Sequence, residues 1–189
     1  MQTHTNLSLD NLSSERSLQL SSLRLQTPIG EMLAMASEDA LYYLDFCERK
    51  NLESQQANFQ KQTKAQIQPG TNKILSKLQQ ELSAYFEGSL EKFETPLALI
   101  GTEFQKQVLK SLQEIPYGQK ITYKDQASSM NRPRAVRAVA KANGQNHLAI
   151  IIPCHRVVGS QGSLTGYSGG LERKRWLLNL EANQHETHQ

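Results

Sequence analysis

The chain has 189 residues, 38% of them hydrophobic, enough to bury a core in one compact unit or two small ones packed together. Neither a membrane span of ~18 apolar residues nor a signal-peptide pattern occurs, and the two cysteines show no metal-type spacing, so a soluble, cytoplasmic chain without disulfide framework or zinc site is expected. The net charge of +3 hides an asymmetry: residues 1–100 carry nine Lys/Arg against twelve Asp/Glu and residues 101–189 carry twelve against six, which makes the second part the one to search for a polyanion partner.

Residues 1–20, rich in Ser, Asn, Gln and Thr with no apolar period, are expected to form a flexible leader. From Ser21 the pattern alternates. Leu23 and Leu25 lead to a Thr27-Pro28-Ile29-Gly30 turn, then come residues 32–36, a Glu38-Asp39 turn and residues 41–46, which together predict a small antiparallel sheet. Residues 48–72 are polar and Gln-rich and read as a connection with at most a weak helix. Ile74, Leu75, Leu78, Leu82, Tyr85 and Phe86 recur at helical spacing and stop at Gly88, a C-terminal cap. A linker follows through Pro96.

Thr102 and Gln105 have the form of a capping box. Phe104, Val108, Leu109 and Leu112 form the buried stripe of the helix it opens, which must end near Pro116-Tyr117-Gly118. Thr122 can cap a second helix, Tyr123 to about Ser129, and Asn131-Arg132-Pro133 is a turn into a third helix, residues 133–143, closed by Gly144. Two helices joined by so short a turn have the outline of a helix-turn-helix. At about 100° per residue, Arg134, Arg137 and Lys141 share a sector of roughly 60° beside a face of Ala135, Ala138, Val139 and Ala142. Such a cationic ridge suits approach to a phosphate backbone, and it equally suits close helix packing with solvated arginines. The spacing leaves both open.

The run Ala149-Ile150-Ile151-Ile152 reads as a buried strand ended by Pro153, delivering the Cys154 thiol at the rim of a sheet. A free cysteine is ordinarily an inert small hydrophobe, and Cys47, on an alternating strand with no basic neighbours, is read that way. Cys154 differs, because His155 and Arg156 stand beside it and a thiolate is favoured where positive charge or a proton acceptor lies close. Adjacent residues of an extended chain point apart. Contact between Cys154 and His155 therefore needs a turn or a water, and a third group should orient the imidazole. Trp176, Leu177 and Leu180 mark the inward face of a last helix, and Glu181 at the edge of that face is either the orienting acid or an exposed helix-end acid. His185 and His188 are expected in a flexible tail with no metal role.

Pro153-Cys154-His155-Arg156-Val157, preceded by Asn143-Gly144-Gln145-Asn146 and followed by Gly166-Tyr167-Ser168-Gly169-Gly170 and Arg173-Lys174-Arg175-Trp176-Leu177-Leu178, resembles the O6-alkylguanine-DNA alkyltransferases, also called methylated-DNA–protein-cysteine methyltransferases. The match runs from about Thr102 to Glu181, and residues 21–86 fit that family's less distinctive N-terminal domain. The resemblance implies DNA repair by irreversible, once-only transfer of the alkyl group of O6-alkylguanine, and of O4-alkylthymine, in double-stranded DNA to Cys154 after the nucleotide flips out from the minor groove. His155 would take the thiol proton through a water and Glu181 would hold the imidazole. Asn146 would brace the helix-turn-helix, Tyr123 would help swing the nucleotide out, and Arg137 would enter the stack. Ala135 and Ala138 would rest in the minor groove, with Arg134, Lys141 and Thr122 also at the DNA. Tyr167 and Ser168 would wall the pocket and offer a donor to O6, Lys174 would lie near the base, and the carbonyls of Cys154 and Val157 would accept from the exocyclic amine.

The expected fold is α+β, with a flexible leader (1–20), a sheet-and-helix domain (21–96), a mainly helical DNA-binding and alkyl-acceptor domain (97–182) and a flexible tail (183–189). The resemblance calls for no metal and no organic cofactor, for duplex DNA as partner, and for a monomer without membrane or obligate protein partner. His147 and Ala140-Lys141 depart from the family's usual residues and bear on how closely the third helix approaches DNA. Two rivals from other classes stand beside this reading: a helix-turn-helix regulator with a redox-sensing Cys154, and a thiol hydrolase that turns over repeatedly.

Overall fold

A computed structural model describes residues 17–49 and 52–187. The three alternating segments form the predicted strands β1 (Gln19–Leu25), β2 (Met32–Ala36) and β3 (Leu41–Phe46), each antiparallel to the one before. Two features correct the sequence reading. The stretch taken as a connection folds into α1 (Leu52–Thr63) and β4 (Gln66–Pro69), and β4 pairs parallel with β1, so the sheet is mixed with order β3-β2-β1-β4. Phe59 is the buried residue of α1, so the helix carries almost no apolar period, and β4 is an edge strand, where a proline such as Pro69 is tolerated. The pairing of Gln19 with Gln66 also starts β1 before the expected end of the leader, whose residues 1–16 lie outside the described ones.

With α1 in place both faces of the sheet are covered. Leu20, Met35 and Tyr43 pack with Phe59 and Ala65 on one side. On the other, Met32, Ala34, Leu41, Leu44 and Phe46 meet Leu75, Leu78 and Leu82 of α2 (Lys73–Glu87). The ends of α2 follow local chemistry. Asn72 Oδ1 accepts the Leu75 N–H at 3.0 Å, and Gly88, in the left-handed region at φ 77°, donates to the carbonyls of Ala84 and Tyr85.

The second part is helical. Thr102 with Gln105 caps α3 (Glu103–Gln113) in the predicted capping box, and Thr122 with Asp125 does the same for α4 (Tyr123–Ser129). The predicted turn at Asn131, with φ 57°, is present, but the third helix starts later than predicted: α5 is Val136–Asn143, because a turn closed by the Ala135 N–H on the Arg132 carbonyl takes up residues 133–135. Val108, Ala127, Val139 and Ala142 hold α3, α4 and α5 together around a reciprocal amide pair in which Asn143 Nδ2 donates to Gln126 Oε1 at 2.7 Å. Short strands β5 (Ile121–Thr122) and β6 (Val157–Val158) pair in parallel, and α6 (Leu171–Thr187) runs past the expected boundary at 182. On α6 Leu177 and Leu178 are buried, whereas Trp176, expected inward, is 36% exposed, with its ring 5.7 Å from that of Phe86.

One core runs through both parts, because the free edge of β3 receives loops from the second. Leu44 donates to the His147 carbonyl at 2.7 Å and accepts from the Ala149 N–H at 2.8 Å. Residues 149–152 are buried as predicted but form turns rather than a strand, with Ile150 at φ 73°. Burial between sheet and helices, not a sheet ladder, explains that apolar run. Among the described residues no helix is long and apolar enough to cross a membrane.

Candidate active site

Pro153 closes the buried turns and Cys154 opens a single 3₁₀ turn, Cys154–Arg156, that leads into β6. The thiol thus sits at the start of a turn and not at the rim of a strand, which sends the three neighbouring side chains in different directions. Asn146 Nδ2 donates to the Ile152 carbonyl at 2.8 Å and to Cys154 Sγ at 3.3 Å, while its Oδ1 accepts the Leu148 N–H at 2.9 Å. An amide held at both ends aims one donor at the sulfur. Cys154 is 8% exposed, and burial pushes its thiol up, opposed by the Asn146 donor and by the charges of Lys174 and Arg49. Arg156, which sequence adjacency suggested as the activating cation, turns away from the sulfur to Glu181.

Glu181 is 0% exposed, which decides against the exposed helix-end reading. Its Oε1 lies 2.7 Å from His155 Nε2 and accepts the Tyr85 hydroxyl at 2.7 Å and Arg156 Nη2 at 3.0 Å; its Oε2 accepts Arg156 Nε at 2.9 Å and the Gly118 N–H at 3.3 Å. Burial works against the carboxylate, but the His155 pairing, which includes the attraction of an imidazolium in the acid range where Glu181 titrates, and the hydrogen bonds and charge of Arg156 outweigh it and hold Glu181 down to about 2. Burial pulls His155 below the usual imidazole value, so the ring is neutral at pH 7. A carboxylate can only accept, so Nε2 carries the proton and the lone pair is on Nδ1, which is buried without a protein partner. The edge of the His155 ring faces Tyr167 at a centroid distance of 6.5 Å.

A loop from β6 to α6 forms the facing wall. Lys174 Nζ, buried on α6, donates to the carbonyls of Val157 and Thr165, both at 2.6 Å, and although burial lowers it to about 8 it is an ammonium at neutral pH. Lys174 is thereby tied to the loop, and the Val157 carbonyl already holds one donor. Tyr123, the first residue of α4, points its hydroxyl at the carbonyls of Thr165 and Gly166, at 3.4 and 3.5 Å. Gly166 has φ 68°, and a Cβ there would lie 2.5 Å from that hydroxyl, so only glycine fits this approach. Tyr167 is buried with its hydroxyl unpartnered, and Ser168 beside it is half-buried.

Arg137, Ala138 and Lys141 are exposed on α5, and Arg134 is exposed in the turn before it; among the described residues none of these three cations forms an ion pair. Ala135 is half-buried as the α5 N-cap, with its methyl against the small core. The Thr122 hydroxyl is engaged in its own cap, donating to Asp125 Oδ2 at 2.7 Å. Cys47 does have a basic neighbour, Arg24 at 3.5 Å, yet burial raises its thiol to about 11 and it stays the inert cysteine.

Three residues of this site escaped the sequence reading. Tyr85 counted only as part of an apolar stripe, Arg156 only as a neighbour of the thiol, and Arg49, which contacts the loop of Asn146, had no motif around it. Comparison with known proteins agrees with the geometry. The model of the 6-O-methylguanine DNA methyltransferase DNA binding domain matches residues 103–183, and that of the 6-O-methylguanine DNA methyltransferase ribonuclease-like domain matches residues 24–99. The methylated-DNA–protein-cysteine methyltransferase of Methanosarcina barkeri is 46% identical over 84% of this chain and 95% of its own length, and that of Methanosarcina acetivorans is 40% identical over 84% and 96%. The crystal structure of Mycobacterium tuberculosis OGT in complex with DNA superposes with a TM-score of 0.74 at 38% identity, covering 88% of this chain and 94% of that one. Matched along both parts of its length, the chain belongs to the 6-O-methylguanine DNA methyltransferase family.

Proposed function

We propose that this chain repairs duplex DNA by taking the alkyl group of O6-alkylguanine, and of O4-alkylthymine, onto Cys154 Sγ, once per molecule and as a monomer. The observation that carries the reading is a buried sulfur held by Asn146, in the same 3₁₀ turn as a neutral His155 whose Nδ1 lone pair has no protein partner and whose Nε2–H is fixed by Glu181. His155 takes the thiol proton through one water, which overcomes the burial that otherwise favours the thiol. The thiolate attacks the alkyl carbon, an S–C bond forms, and the C–O6 bond breaks with its electron pair passing to the guanine oxygen. A donor from the Tyr167-Ser168 loop at that oxygen stabilises the leaving base, while Tyr123 helps swing the nucleotide out. The product is a thioether, and nothing in the site reverses it.

The alkylated oxygen lies inside the duplex, beyond the reach of a thiol in a turn, so the nucleotide must leave the stack at a cost of a few kcal/mol. Arg137, exposed and without an ion pair among the described residues, fills the space it leaves, while Ala135 and Ala138 let α5 lie close to the minor groove. Arg134 and Lys141 meet phosphates. Residues 21–96 serve as the scaffold and residues 97–182 carry DNA contact and chemistry. The test is single-turnover transfer from a labelled O6-methylguanine duplex. One alkyl group per protein, on Cys154, is expected; repeated turnover would point to a hydrolase, and sequence-selective binding without transfer to a regulator.

A further inference from the structure

Arg49 follows β3 in the first part of the chain, yet its contacts are with the active-site loop of the second. It is 6% exposed and forms a buried ion pair with Asp45, itself 1% exposed. The same guanidinium donates from Nη2 to the Gly144 carbonyl at 2.8 Å and from Nη1 to the Asn146 carbonyl at 3.3 Å. Gly144 is the C-cap of α5, so the fork satisfies a carbonyl at the negative end of that helix and, two residues on, the backbone of the asparagine that faces the sulfur.

We infer that Arg49 is a positioning residue for alkyl transfer: by clamping residues 144–146 it keeps the Asn146 amide aimed at Cys154. The side chain of Asn146 reaches Sγ only while its backbone stays put, since Nδ2 divides between Ile152 and the sulfur and Oδ1 holds Leu148. A planar, always-charged fork can hold two carbonyls and a carboxylate together, whereas an ammonium offers a point charge. Asp45 keeps the guanidinium oriented, and the β3 edge fixes the same loop one residue further on through the His147 carbonyl. When Arg49 lets go, the amide is free to turn to Ile152 alone, the sulfur loses its donor, and the thiolate is harder to form.

The inference rests on the proposed alkyl transfer, but its test has a readout independent of it. In a Cys47→Ser background, the pH dependence of Cys154 alkylation by iodoacetamide is measured for the parent, Arg49→Lys, Asn146→Ala and the double variant, together with transfer from free O6-benzylguanine and thermal melting. Arg49→Lys keeps the charge beside Asp45 and is expected to stay folded, to move the Cys154 titration to higher pH and to slow transfer about tenfold, as a misplaced reacting group does. Adding it to Asn146→Ala should slow transfer less than twofold further. An unshifted titration in Arg49→Lys, or the same slowing with and without Asn146, would overturn the role. Should Arg49→Lys melt out, Asp45→Asn with Arg49→Gln removes both charges at once and carries the same comparison. If the parent fails to transfer while Arg49→Lys still shifts the titration, the proposed function falls and the positioning role stands.

Discussion

Replacing Glu181 with Gln tests the centre of the site. The carboxylate is 0% exposed and takes donors from His155, Arg156, Tyr85 and Gly118. An amide keeps one acceptor oxygen, turns an NH2 toward donors, and leaves the buried Arg156 with the Ile115 carbonyl as its remaining partner. A drop of Glu181 from 4.5 to about 2 corresponds to at most about 3.5 kcal/mol, and because His155 is neutral at pH 7 and adds a hydrogen bond rather than a full charge, about 3 kcal/mol is the share at stake there. Because the folded value is the lower one, that stability is fully present above about pH 4.5 and is lost as pH falls through about 2. At about 2–4 °C per kcal/mol for a chain of this size, Glu181→Gln should melt roughly 6–12 °C below the parent at pH 7, and the gap should close on acidification. Transfer to Cys154 should also slow by about two orders of magnitude, since a neutral acceptor holds His155 less firmly and makes it less basic. Calorimetry across pH and single-turnover kinetics read the two effects. A variant melting within about 2 °C of the parent at pH 7, or a gap that does not change with pH, would refute the reasoning.

Cys154→Ala should abolish transfer while leaving affinity for duplex DNA within about twofold, measured by fluorescence anisotropy, because the sulfur makes no part of the cationic face. Arg137→Ala should slow repair of a duplex substrate far more than reaction with free O6-benzylguanine; equal losses on both would count against nucleotide flipping. Tyr85→Phe removes one donor to the Glu181 carboxylate and should cost about 1.5–3 kcal/mol in denaturant unfolding, with the Cys154 reaction retained at a reduced rate.

The elements readable from the amino acids are those written in chemistry a few residues long. The capping boxes at Thr102 and Thr122, the Gly88 cap and the alternation of residues 32–46 each depend on neighbours in the chain. The Cys154 motif stands out in the sequence as a candidate site for the same reason, because it places a thiol and an imidazole in adjacent positions. Helix α1 and strand β4 are not readable in this way. One half-exposed helix with Phe59 as its buried residue and one edge strand leave little periodic trace, and their place is set by the sheet face and strand edge they cover.

Directions and distant partners belong to packing alone. The 3₁₀ turn at Cys154–Arg156, which parts the thiol from Arg156, follows from turns buried against β3, and the same apolar run would equally suit a strand. Tyr85 meets Glu181 across 96 positions of chain, and Arg49 meets Gly144 across 95. No local propensity encodes such meetings. They arise because burying both faces of one sheet brings α2, the end of β3 and α6 around the same loop, where every buried charge and carbonyl must find a partner.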